Sequence, residues 1–154
     1  MRKRVAIIGS HGLYASYGGW DQLVNNLAEL KSESIEYLIF NSIETTIPQM
    51  IPQGVEVKRI LIPASGFLGL FYDFWSVIRS AWKVDTVLLL GVQGIPLLVF
   101  IKIFRDIKII SNVGGIEWER PKFGYFSRLY LRLCFHLASK FSQSLILDNQ
   151  HYIS

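Results

Sequence analysis

Short apolar runs bounded by glycine, proline or asparagine alternate along this chain with longer stretches of helical period, and that alternation restricts the fold more than any other feature. Val5 to Gly9 opens the series. A run so short and continuous suits a strand covered on both faces. Comparable runs cover Glu36 to Phe40, Val55 to Ile62, Asp85 to Gly91, Lys108 to Asn112 and Ser144 to Asp148. Between the first two, Trp20, Leu23, Val24, Leu27 and Ala28 share one helical face, while Asp21, Gln22, Asn25, Asn26 and Glu29 fall on the other. Further helices are predicted over Leu68 to Trp82, Ile95 to Phe104 and Tyr125 to Phe141, with a loop from Ser42 to Gly54. Strands alternating with helices need crossover connections, which are right-handed and build a mainly parallel sheet. The expected fold class is α/β, a doubly wound sheet with helices on both faces, in one Rossmann-like domain over residues 1–154.

The chain has 154 residues, the length of one ordinary domain. It is 51% hydrophobic and 18% charged, enough apolar surface to offset the entropy of ordering a core. Mean hydropathy is +0.32, high for a self-contained domain, so part of that surface is expected to meet a further domain, a partner or a lipid. The closing Gln-His-Tyr-Ile-Ser falls where a covering helix would begin. The chain is therefore read as an N-terminal piece whose second domain is missing. A net charge of +4 favours anionic partners, but basic and aromatic residues do not interleave as a nucleic-acid surface requires.

Several function classes drop out. The single Cys134 excludes a disulfide framework and a cysteine metal site, and fits a reducing, cytoplasmic setting. His11, His136 and His151 are too scattered for a metal centre, so no metal is expected. The uncharged stretch from Thr86 to Ile101 is broken by Gly91, Gln93, Gly94 and Pro96, and is shorter than the roughly 20 apolar residues of a spanning helix. The apolar run after Arg2-Lys3-Arg4 is too short for a signal peptide.

In such a sheet, ligands bind beyond the carboxyl ends of the strands. The loop from Gly9 to Asp21 contains His11 and Tyr17 and places Gly18 and Gly19 directly before a helix, where free N–H groups attract phosphate. A tight turn with a helix cap is the structural alternative. A nicotinamide site is disfavoured, because Gly9-x-x-Gly12 and Asn41 stand where G-x-G-x-x-G and an acid are needed. No P-loop is present. The loop from Ser111 to Pro121 gathers Asn112, Glu117, Trp118 and Arg120; these suit either a polar ligand, with a carboxylate base, or a solvated loop with Trp118 docked on the core. Gln93 lies in a glycine turn. On the last helix Phe126, Leu129, Tyr130, Leu133 and Leu137 form the expected apolar face. Arg128, Arg132, His136 and Lys140 form a stripe that fits either solvent or anionic lipid. Phe67 to Trp75 is expected in the core, with a bilayer edge or an acceptor cleft as alternatives.

Two of these loops together resemble the rhamnosyltransferase-like branch of family 4 glycosyltransferases. Ile7 to Ala28 is similar to that branch's opening strand, its Tyr-Gly-Gly-Phe-Glu loop and its first helix; Asn112 to Gly124 is similar to a segment beginning Asn-Val-Asp-Gly-Leu-Glu-Trp-Lys-Arg. The resemblance implies the N-terminal, acceptor-side half of a GT-B fold. Such an enzyme would move a sugar, rhamnose by the branch, from a nucleotide diphosphate sugar to a glycan or lipid-linked acceptor in surface polysaccharide synthesis. It implies no metal or other cofactor, and peripheral contact with an anionic inner membrane face. By the same resemblance Gly18 and Gly19 would meet the donor diphosphate, with His11, Tyr17, Trp20, Asp21, Gln93, Asn112, Trp118 and Arg120 lining the cleft. The branch's Asp is Gly114 here, which leaves Glu117 as the candidate base. Without a second domain the chain is expected to be inactive. The alternative from another class is a non-catalytic Rossmann-like module that binds a glycan, a nucleotide or a partner protein.

Overall fold

In the computed structural model, which describes residues 1–148, a parallel sheet forms from strands that alternate with helices. β1 (Lys3–Ile8) leads into α1 (Gly19–Glu29), and β2 (Ile35–Asn41) joins β3 (Val55–Arg59) through a loop. Then come α2 (Leu68–Ser80), β4 (Thr86–Leu90), α3 (Ile95–Phe104), β5 (Lys108–Val113), α4 (Tyr125–Phe141) and β6 (Ser144–Leu147). A 3-10 turn, Glu117–Glu119, precedes α4. His151 and the expected start of a further helix lie outside the described residues.

The strand order is β3-β2-β1-β4-β5-β6, and every pairing is parallel. Ile7 stands beside Ile39 on one side and Leu88 on the other, and Leu90 beside Asn112. From β1 the chain steps outward to β2 and β3, then returns to lay β4 against the other side of β1. The order reverses there, so the loops leaving β1 and β4 diverge and open a crevice beyond the strand ends. The step from β1 to β2 runs one way across the sheet, and the later helical crossovers run the other. A constant right hand then puts α1 on one face and α2, α3 and α4 on the opposite one.

Strand alternation fills both faces. Ala6, Ile8, Phe40 and Leu89 pack with Tyr72 and Val77 of α2, Ile95 and Leu98 of α3, and Leu131, Cys134 and Ala138 of α4. Ile7, Ile39 and Leu90 pack with Val24 and Ala28 of α1. The Tyr72 hydroxyl donates to the buried Phe40 carbonyl at 2.6 Å, locking α2 to β2. Burial pushes the Cys134 thiol up to about 11, as for a small core residue.

Two sequence expectations are corrected. α4 buries Leu131, Cys134 and Ala138, not the stripe of Phe126, Leu129 and Leu133, which is exposed. Two apolar stripes run side by side on this helix, and the small residues of one allow the closer approach to the sheet, so the smaller stripe turns inward. In the aromatic segment Tyr72 is buried, whereas Phe67, Phe71 and Trp75 stand exposed. Among the described residues, no helix is long and apolar enough to cross a membrane.

Candidate functional site

The crevice starts at Gly9, where β1 ends. Its φ is +103°, and a Cβ there would lie 2.0 Å from the Leu90 carbonyl oxygen, so only glycine lets the ends of β1 and β4 sit this close. Gly12 has φ +127°, and its Cβ would fall 2.3 Å from Asn41 Oδ1. Both glycines thus make room for the chain itself. Asn41 is fully buried; its Oδ1 accepts from the Leu13 N–H at 2.8 Å, and its Nδ2 donates to the carbonyls of Leu13 and Thr46. The position that carries an acid in dinucleotide folds is here a bolt on the first loop.

Asp21 holds that loop from beneath. Helical period places it on the polar side of α1, yet it is only 1% exposed, because the loop folds back over the helix start. Its carboxylate accepts from the His11 N–H at 2.9 Å and the Tyr17 N–H at 2.9 Å, and pairs with His11 Nδ1 at 3.3 Å. Burial alone would raise this carboxyl, but the hydrogen bonds from the His11 side chain and backbone and from the Tyr17 backbone outweigh it and hold it below its ordinary value. The same hydrogen bond to Asp21 raises His11 above its ordinary value, against a smaller desolvation effect. Tyr17 stacks on the imidazole with centroids 4.3 Å apart. Nδ1 is engaged by Asp21, so Nε2 is the nitrogen left to meet a ligand.

A second acid belongs to this neighbourhood. Asp73 of α2 is 8% exposed and sits where α3 begins, its Cβ 3.7 Å from the place a Cβ on Gly94 would take. Burial pushes its carboxyl up to about 7, while the positive charge of His11 draws it partly back. Sequence reading passed over Asp73; the available signal was a lone carboxylate between Tyr72 and Phe74 in an aromatic segment.

The second wall comes from β4 and β5. The indole of Trp20 lies over the turns that follow both strands: a Cβ on Gly91 would come within 3.2 Å of Trp20 Cη2, and one on Gly114 within 2.9 Å of Cζ2. The Gly91 N–H donates to the Asn112 carbonyl at 2.8 Å, joining the two turns. The first loop and the turn after β5 therefore share one rim. Asn112 is 4% exposed there, and its Oδ1 has no hydrogen-bond partner among the described residues. At Gly18 and Gly19 a Cβ would meet nothing within 4 Å, and no side chain caps the helix they open.

The remaining residues divide. The Gln93 carbonyl accepts from the Tyr130 hydroxyl at 2.7 Å, tying its turn to α4. Trp118 packs edge-on against Phe135 of α4, with centroids 5.1 Å apart. Glu117 pairs with Arg120 at 3.0 Å within the 3-10 turn. The structure thus brings His11, Tyr17, Asp21, Trp20 and Gly114 into one unit and ties Trp118 to α4, with Glu117 and Arg120 paired to each other. Among the described residues, no three His, Cys, Asp or Glu side chains converge as a metal ion requires.

Sheet order and crevice define a class: a Rossmann-like α/β domain whose open edge is formed by the loops after β1, β4 and β5. Within that class, the chain belongs to the family described as Domain of unknown function (DUF1972), whose model matches residues 2–154. A comparison with curated proteins finds no match.

Proposed function

We propose that this domain forms the acceptor-side wall of a sugar-transfer cleft in a glycosyltransferase that uses a nucleotide diphosphate sugar. One observation carries the reading: Trp20 joins the turns after β4 and β5 to the loop that holds the His11–Asp21 pair, on the rim where α/β sheets bind ligands. The family is associated with glycosyltransferase-like N-terminal domains, which supports it. So does the likeness of both loops to the rhamnosyltransferase-like branch. A Cβ at Gly18 or Gly19 would meet open space, so the uncapped first turn of α1 is free to take an anionic group of the donor.

In this reading an acceptor hydroxyl oxygen attacks the anomeric carbon of the donor. The bond from that carbon to the diphosphate breaks, and the hydroxyl proton passes to His11 Nε2. His11 suits the role better than Glu117, because Asp21 fixes its ring and raises its basicity, while Glu117 is neutralised by Arg120. The diphosphate leaves against the N–H groups at Gly18 and Gly19 and against groups from a second domain, which also holds the nucleotide. A rhamnose donor and a lipid-linked glycan acceptor are the finer reading. No metal enters this scheme.

The test is transfer by the full-length protein, assayed with a panel of nucleotide diphosphate sugars and lipid-linked glycans. His11→Gln should lower kcat about 10²- to 10⁴-fold with KM nearly unchanged. Undiminished turnover would refute the role of His11, and glycan binding without consumption of any donor would refute transfer.

A further inference from the structure

α2, α3 and α4 cover one face of the sheet, and their outward sides share an unusual composition. Across the three helices the sole acidic residue is Asp73, and it is buried. Their basic residues are Arg79 on α2, Lys102 on α3, and Arg128, Arg132 and Lys140 on α4. Large apolar side chains stand between these cations. On α2, Phe71, Trp75 and Ile78 recur at helical spacing and are each about half exposed. On α3, Phe100, Ile103 and Phe104 are 57%, 73% and 68% exposed. On α4, Phe126 is 83% exposed, followed by Leu129 and Leu133 on the same side.

A face bathed only in water mixes acids with bases and scatters its large apolar residues singly. This one does neither, over three adjacent helices. Aromatic and aliphatic side chains among unopposed cations match the boundary of a bilayer, where acyl chains take the apolar groups and anionic headgroups take the basic ones. We propose that the α2–α3–α4 face docks on an anionic lipid surface. The outward cations lie on α2 and α4, flanking the apolar side of α3, whose Lys102 turns back to donate to the Ile107 carbonyl at 3.3 Å. Each helix also starts at the sheet edge that carries the crevice, so the docked face would hold the rim containing His11 and Trp20 beside the membrane.

The experiment is flotation of the full-length protein with vesicles of phosphatidylcholine, alone or mixed with phosphatidylglycerol. Binding is expected to the mixed vesicles and to weaken as salt is raised. A basic side chain near an anionic surface strengthens binding about fivefold, so Arg128→Gln with Arg132→Gln should weaken it about thirtyfold. Ile103→Ser with Phe126→Ser should also reduce it at least tenfold, by removing the apolar contact; circular dichroism checks that each variant is folded. Equal binding to neutral and anionic vesicles, no binding, or folded variants that bind as the parent does would overturn the proposal. So would sedimentation showing that these substitutions change self-association and leave lipid binding intact. No sugar donor is needed, so failure here and failure of the transfer reading are separate results.

Discussion

Asp73→Asn should stabilise the protein at high pH and leave it almost unchanged at low pH. Burial pushes the Asp73 carboxyl from its ordinary 3.8 to about 7, a rise of about three units. At about 1.36 kcal/mol per unit, ionising it inside the fold costs about 4 kcal/mol. The folded protein keeps this proton to higher pH than the unfolded chain does. Between 3.8 and about 7 it therefore binds more protons, and stability falls as pH rises. Below that window the carboxyl costs nothing; above it the cost is complete. Asparagine has nearly the same volume and does not ionise, so the stability difference between variant and parent should grow by about 4 kcal/mol from about pH 4 to about pH 8. His11, with its raised value, contributes stability that is full below 6.5 and lost as pH rises through its folded value; Asp21, with its lowered value, contributes stability present above 3.8 and lost on acidification. Both occur in parent and variant and largely cancel in the difference. Urea unfolding followed by circular dichroism at several pH values supplies the numbers. A difference independent of pH would refute the argument, because it would mean that Asp73 titrates alike in both states.

Other residues give sharper local tests. Gly114→Ala places a Cβ 2.9 Å from Trp20 Cζ2 and should cost about 1–3 kcal/mol in thermal unfolding, most of it restored by adding Trp20→Phe; strictly additive losses would show that the two do not touch. Asp21→Asn should bring the His11 value down toward 6.5, read from its ring protons by NMR titration, and an unmoved His11 would remove Asp21 as the cause. Asn41→Ala leaves the buried Leu13 N–H without its 2.8 Å acceptor and should lower stability by about 2–3 kcal/mol, with a loss below half of that counting against the bolt.

Much of the architecture was legible in the chain, because strand and helix periods depend on neighbours within a few residues. Helices at Ile95–Phe104 and Tyr125–Phe141 have the bounds their periodicity predicts, and all six strands fall within a few residues of the apolar runs. The third strand is shorter than its run: it ends at Arg59, although Ile60 still donates to the Asn41 carbonyl. The site was legible only in part. Glycine turns and a histidine could be read as a ligand edge, but the inward turn of Asp21, the role of Asn41 and the burial of Asp73 depend on residues 10 or more positions away.

Local pattern, then, determined the order of elements and the parallel sheet, since hydrophobic period and turn chemistry act over a few residues. Tertiary packing alone decided which stripe of α4 faces the core, that Trp20 fills the space over Gly114, and that His11 is braced by a carboxylate that a helical wheel points outward. Those outcomes turn on volumes and hydrogen bonds between segments distant in sequence, and such contacts exist only after the strands have taken their places beside β1.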